Sequence, residues 1–220
     1  MLRNYDKTYQ GNIEFNTDKK AVEAVKTFLE KHLPDFPEFL RKETTGLVNE
    51  DGISSKLEIY LQRLARVSDE IFMFQFQYPE QYKRSNDMAA VFASPIASTE
   101  SIFAIEAKRL PTPGSGRQKE YVQGNLGAME RFKRNYHGKH LEHSAILGYI
   151  EKEDFDFWHN QICGWINELI ATSIDATIIW NKDDLLSFLR SLSNLNLYTS
   201  INSRNGSTSI KLTHYWLYLN

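Results

Sequence analysis

The chain has 220 residues, 26 lysines and arginines against 28 aspartates and glutamates, and a single cysteine. That length suits one domain with a core large enough to need no staple, and the lone Cys163 excludes an intrachain disulfide and fits a reducing compartment. A formal net charge of −2 excludes a global pull toward nucleic acid, and 41% hydrophobic residues exclude a disordered chain.

The start, Met1-Leu2-Arg3-Asn4-Tyr5-Asp6-Lys7, lacks the apolar core of a signal peptide, and no apolar run reaches the roughly 18 residues of a membrane span, so a cytoplasmic protein without membrane association is expected. Ala21, Val22, Ala24, Val25, Phe28 and Leu29 recur at helical spacing and predict a helix over 21–33, which Pro34 and Pro37 should break into a linker. A second helix is expected from Asn49-Glu50-Asp51 to Val67, with Ile53, Leu57, Tyr60, Leu61 and Leu64 as its stripe and two acids where the helix dipole favours them. Phe72, Phe74, Phe76 and Tyr78 alternate with smaller or polar residues, the signature of a strand with one aromatic face, and Pro79 should end it. Two further strands, Asp87 to Ala93 and Ile102 to Leu110, are joined by the turn-rich 94–100 and should pair antiparallel.

After the Pro/Gly/Ser loop at 111–116, residues 118–136 read as a helix interrupted by Gly124 and Gly127. Ser144 to Ile150 predicts a strand, and Phe155 to Ile170 a helix facing the core with Trp158, Ile162, Trp165 and Ile166. Leu185 to Leu192 looks helical, and two strands flank the hairpin turn Asn205-Gly206. No repeat or boundary divides the chain, so 1–220 is taken as one domain.

The chemistry concentrates in Ile102 to Leu110. On a strand, Glu106 and Lys108 project from one face while Ile105 and Ala107 project from the other. A strand this apolar should be buried, and a buried carboxylate or ammonium is costly unless paired, metal-bound or facing a wet cleft. Pairing with the preceding strand brings Asp87 near both. Two adjacent carboxylates repel unless a cation lies between them, and hard oxygen ligands suit Mg²⁺ or Mn²⁺. The plain alternative is an ion pair on an edge strand.

Asp87, then Glu106-Ala107-Lys108 nineteen positions on, with Glu50 on the preceding helix, resembles the PD-(D/E)XK nuclease superfamily, the restriction-endonuclease-like fold. The resemblance implies an α/β fold with an αβββαβ core over about 49–151, a mixed sheet flanked by helices, and the N-terminal helix 21–33 and residues 153–220, with an extra helix and hairpin, as additions. It implies that Asp87, Glu106, the backbone carbonyl of Ala107 and Glu50 hold Mg²⁺ or Mn²⁺, and that Lys108 serves the attacking water. The expected activity is hydrolysis of phosphodiester bonds in DNA, in a restriction-type or antiviral defence role, with a homodimer or a partner protein in a defence complex as the assemblies to test. Asn86 stands where many members have proline, and Asp51 and Glu58 are alternatives to Glu50. A non-cleaving binding or interaction module of the same fold is the rival expectation.

From Lys108 to His140 eight lysines and arginines face only Glu120 and Glu130. Arg117, Lys119, Arg131, Lys133 and Arg134 are therefore candidates for contacting a phosphate backbone. Arg109, on the opposite strand face from Lys108, reads as structural. His137, His140 and His143 lack the partners of a zinc site and suggest a solvated turn, while Cys163 near His159 reads as a small core hydrophobe.

Overall fold

The computed structural model describes residues 14–219 apart from 45, 47, 81–83, 95, 96, 125, 174 and 176, and within these the side chains of 14–18 and 84 are left out. The reading of Met1–Lys7 and part of the 94–100 connection lie outside the described residues. In chain order the elements are α1 (Glu14–His32), a 3₁₀ turn (Leu33–Asp35), α2 (Phe36–Glu43), α3 (Glu50–Val67), β1 (Phe72–Glu80), β2 (Arg84–Phe92), β3 (Ser101–Leu110), α4 (Ala128–Lys133), β4 (His143–Ile150), α5 (Phe155–Thr172), a second 3₁₀ turn (Lys182–Asp184), β5 (Ser187–Leu192), β6 (Leu195–Arg204) and β7 (Ser207–Tyr218). The class is α/β, and the strands form one mixed sheet in the order β1-β2-β3-β4-β7-β6-β5.

Two antiparallel meanders, β1-β2-β3 and β5-β6-β7, are joined through β4, which runs parallel to β3 on one side and to β7 on the other. Alternation along each strand feeds two cores. Phe103, Ile105 and Ala107 of β3, with Tyr215 and Leu217 of β7, pack against Ala21, Val25 and Leu29 of α1 and Ile53, Leu57 and Leu61 of α3. Ala104, Leu110, Leu212 and Trp216 point the other way, against Met129 and Phe132 of α4 and Trp158, Ile162 and Ile166 of α5. The helix stripes repeat every three or four residues, as one buried face requires. β3 is thus covered on both sides, and every side chain from Ser101 to Lys108 is buried.

Capping fixes where the two long helices after α1 begin. The Asn49 side chain accepts the Gly52 N–H at 2.9 Å at the start of α3, and Asp154 accepts the Phe157 N–H at 2.7 Å at the start of α5. The hairpin turn has Gly206 at φ 67°, a left-handed conformation that glycine adopts without steric cost.

Four expectations are corrected. Pro34 and Pro37 do not open a linker: each sits in the first turn of a helical element, where the missing N–H has no partner to lose. Pro79 does not end β1, because β1 is an edge strand and Pro79 still pairs with Ser85. Residues 118–136 are not one helix. Ala128 N–H bonds to the Glu120 carbonyl and Met129 N–H to that of Tyr121, so the chain doubles back on itself, and a Cβ on Gly127 would lie 2.4 Å from the carbonyl carbon of Gln123. Leu185 to Leu192 is not helical, since β5 pairs antiparallel with β6 from Ser187 opposite Thr199 to Leu192 opposite Leu195.

Candidate active site

The β2–β3 ladder ends before β3 does. The last β3 residue paired with β2 is Ile105, opposite Met88, whereas β3 remains paired with β4 through Leu110. The backbone groups of Ala107 and Arg109 that face the departing β2 therefore need other partners, because buried main-chain donors and acceptors are almost always satisfied. Side chains supply them. Asp87 Oδ2 accepts the Ala107 N–H at 2.7 Å, Glu50 Oε2 accepts the Arg109 N–H at 2.9 Å, and Lys108 Nζ donates to the Ala107 carbonyl at 2.7 Å. Glu50 arrives there because it is the first residue of α3, and Asp87 because it directly precedes the last ladder pair.

Lys108 spends its remaining donors on Glu106 Oε1 at 3.0 Å and Glu50 Oε1 at 3.2 Å. An ammonium has three N–H groups and this one has three acceptors. Glu106, with no exposed surface, also accepts from Arg131 Nη1 at 2.6 Å through the same Oε1. Its Oε2 makes no hydrogen bond among the described residues, though His137 Nε2 lies 3.3 Å away. The buried Nδ1 of His137 is likewise unpartnered.

The electrostatics follow from three carboxylates sharing two permanent cations. Burial would raise the Glu106 carboxyl, but Lys108, His137 and Arg131 override it and hold it down to about 2. Burial would lower the Lys108 amine, and Glu106, Asp87 and Glu50 together raise it instead. Asp87 is the acid in excess: burial first, then the Glu106 charge, push it up to about 7. At neutral pH the site is thus held near the point where one more negative charge is taken on.

The four side chains singled out from sequence, Asp87, Glu106, Lys108 and Glu50, meet with the Ala107 carbonyl in one place. Asp51 is exposed and Glu58 lies two turns further along α3, so Glu50 is the helix acid at the site. Among the described residues no three His, Cys, Asp or Glu side chains stand together as a ready-made metal centre. The cation at the middle of these acceptors is Lys108 itself. The donor set nevertheless suits a hard divalent ion, since it consists of carboxylate and carbonyl oxygens, one of them, Glu106 Oε2, buried and unbonded.

The basic segment takes a different form. Arg117 is bidentate to Glu120 at 2.6 and 2.7 Å, Lys119 bonds Glu168 at 2.5 Å, and Arg134 bonds Glu130 and Asp175. Lys133 is buried on Asp184 at 2.6 Å and is no surface for a phosphate. Arg131 points to Glu106. Much of the local charge excess of the sequence is offset by Glu50, Glu106, Glu151, Glu168, Asp175 and Asp184, which the fold brings from outside the segment.

His137 is not on a solvated turn but buried against Glu106. His140 Nε2 bonds the Ser101 carbonyl at 2.8 Å, separating it from His137. Arg109 is bidentate to Glu151, at 2.9 and 2.6 Å, and is structural. Cys163 Sγ lies 3.6 Å from His159 Nε2, which also bonds the Leu186 carbonyl at 2.9 Å, and burial pushes the thiol up, toward its neutral form.

No protein-family model matches the chain, and no curated protein or solved structure is significantly similar to it.

Proposed function

We propose that the protein is a metal-dependent nuclease of the PD-(D/E)XK type that hydrolyses DNA phosphodiester bonds at the junction of β2 and β3. The observation carrying this reading is the convergence of Asp87 on the Ala107 N–H and of Glu106, Glu50 and the Ala107 carbonyl on the Lys108 amine, from three elements far apart in sequence. The order α3, β1, β2, β3, α4, β4, with an antiparallel meander followed by a parallel strand, is the arrangement that the superfamily's core would require.

Asp87, Glu106, Glu50 and the Ala107 carbonyl would hold Mg²⁺ or Mn²⁺. A bound ion of this kind supplies Lewis acidity toward a phosphoryl oxygen and a lowered pKa for water. Lys108, on the same strand face as Glu106, would orient a water for attack and offset the negative charge that develops on the phosphoryl oxygens. Arg131 fixes the Glu106 carboxylate through Oε1, and the buried apolar residues of β3 keep bulk water from behind the site.

One feature favours a second reading, a non-cleaving interaction module: every donor of Lys108 is already satisfied and the carboxylates complete the strand ladder, as purely structural groups would. Plasmid nicking with Mg²⁺ separates the two. Asp87→Ala and Lys108→Ala are each expected to lose at least about a hundredfold in rate. Absence of metal-dependent nicking by the unmodified chain, or equal nicking by all three, removes the nuclease reading.

A further inference from the structure

We infer that Lys108 and a divalent cation compete for a single seat, which the amine fills in the resting protein and vacates when the cation enters; this rests on the nuclease reading of the site. Three of the four groups assigned to the metal, Glu106 Oε1, Glu50 Oε1 and the Ala107 carbonyl, are the three acceptors around Lys108 Nζ, at 3.0, 3.2 and 2.7 Å. The fourth, Asp87, lies against the Ala107 N–H next to them. Lys108 is 4% exposed, and its amine has no donor left over. A divalent ion bound by the three oxygens that surround the ammonium would sit within a few ångströms of it, and like charges that close repel strongly in a poorly solvated site.

A second observation shows that the ammonium satisfies the seat incompletely. Glu106 Oε2 is buried with only His137 Nε2 near it, 3.3 Å away and outside hydrogen-bond geometry, and among the described residues Lys108 and Arg131 are the cations ion-paired with the three carboxylates. A divalent ion brings the additional positive charge and the additional coordination that a single amine cannot. The four-carbon stem of Lys108 lets the amine withdraw without displacing β3, whose backbone stays fixed by β4. Lys108 therefore determines how tightly the cation binds as well as what happens to the water.

The test is calorimetric titration of the full chain with Mn²⁺, comparing the unmodified protein with Lys108→Met and Lys108→Gln. Removing the tethered competitor should tighten Mn²⁺ binding by about tenfold or more in both variants, since the seat is no longer pre-occupied, while nicking is lost. Equal or weaker binding in the variants overturns the competition and leaves the nuclease reading standing. Absence of binding in all three proteins at millimolar Mn²⁺ overturns both. If a variant is unfolded in metal-free buffer, circular dichroism against Mn²⁺ replaces calorimetry: recovery of the folded signal below the concentration that shifts the melting of the unmodified protein is expected, and failure to recover overturns the proposal.

Discussion

Lys133 and Lys108 are both buried and both paired with carboxylates, yet their surroundings differ in number and in closure. Lys133 has one acid, Asp184, at 2.6 Å, and its amine lies 4.8 Å over the Trp180 ring. The second oxygen of Asp184 accepts the Asn181 N–H at 2.8 Å, so the unit is closed on itself. There burial prevails over attraction: it pushes the Lys133 amine down and the Asp184 carboxyl up. Around Lys108 the charges prevail, raising the amine and depressing Glu106 in spite of complete burial. A closed pair is what a core needs to bury two ions. A cluster with an acid too many and an unbonded oxygen is what a core needs least, and that is why function is assigned to it.

The largest difference should appear in stability. Lys133→Ala leaves Asp184 charged and alone in the core and should cost about 3–5 kcal/mol in urea unfolding, whereas Lys133→Met combined with Asp184→Asn should come close to the original stability. Lys108→Ala should cost less, roughly 2 kcal/mol, because Glu106 keeps Arg131 and Asp87 can take up a proton. Equal losses from the two alanine variants would make the Lys108 cluster an ordinary structural pair and erase the contrast.

Next in size is a pH effect confined to one of the two regions. Asp87 keeps its proton up to about 7 in the folded chain, against an ordinary value of 3.8, so the folded state binds more protons between these limits and stability falls as pH rises through them. Glu106 works in the other direction: its contribution is present above its ordinary value of 4.5 and is lost as pH falls toward 2. Stability should therefore peak near the lower end of the Asp87 window. Asp87→Asn should remove the decline above it, gaining roughly 2–3 kcal/mol at pH 8 relative to the unmodified chain once the partly open side chain is allowed for. An unchanged slope in Asp87→Asn would show that the excess charge is not on Asp87.

The readable and unreadable parts of the sequence divide along the same line. The meander β1-β2-β3 is local, with strand alternation and a short connection, so strand pairing brings Asp87 to Glu106 and Lys108, whereas Glu50, behind the Asn49 cap of α3, is joined to them only by the family resemblance. Arg131 and His137 could not be assigned to Glu106, because their approach depends on a chain that doubles back at Gly124 and Gly127 instead of continuing as a helix. His137 carried only a weak signal, one of three regularly spaced histidines. The acid partners of the basic segment are hidden in the sequence for a related reason: Asp175 and Asp184 lie more than 40 residues beyond the arginine and lysine they pair with, and no local pattern marks them. β5 is hidden in the sequence because Leu185 to Leu192 has helical spacing, and only its pairing with β6 makes it a strand.

The smallest effect gives the finest test, since each cluster is held at a helical start by an asparagine. Asn49 caps α3 directly before Glu50, and Asn181 accepts the Asp183 N–H at 2.8 Å while its own N–H goes to Asp184. Asn49→Ala and Asn181→Ala should each cost about 1 kcal/mol. Their local consequences should differ. Fraying the first turn of α3 releases Glu50 from the Arg109 N–H, so hydrogen exchange at Arg109 should quicken in Asn49→Ala and stay unchanged in Asn181→Ala. Unaltered protection of Arg109 in both variants would mean that Lys108, and not the helix cap, fixes Glu50. Glu50 would then follow the amine wherever it moves, and a cation could not exchange with Lys108 without also opening the strand edge that Glu50 closes.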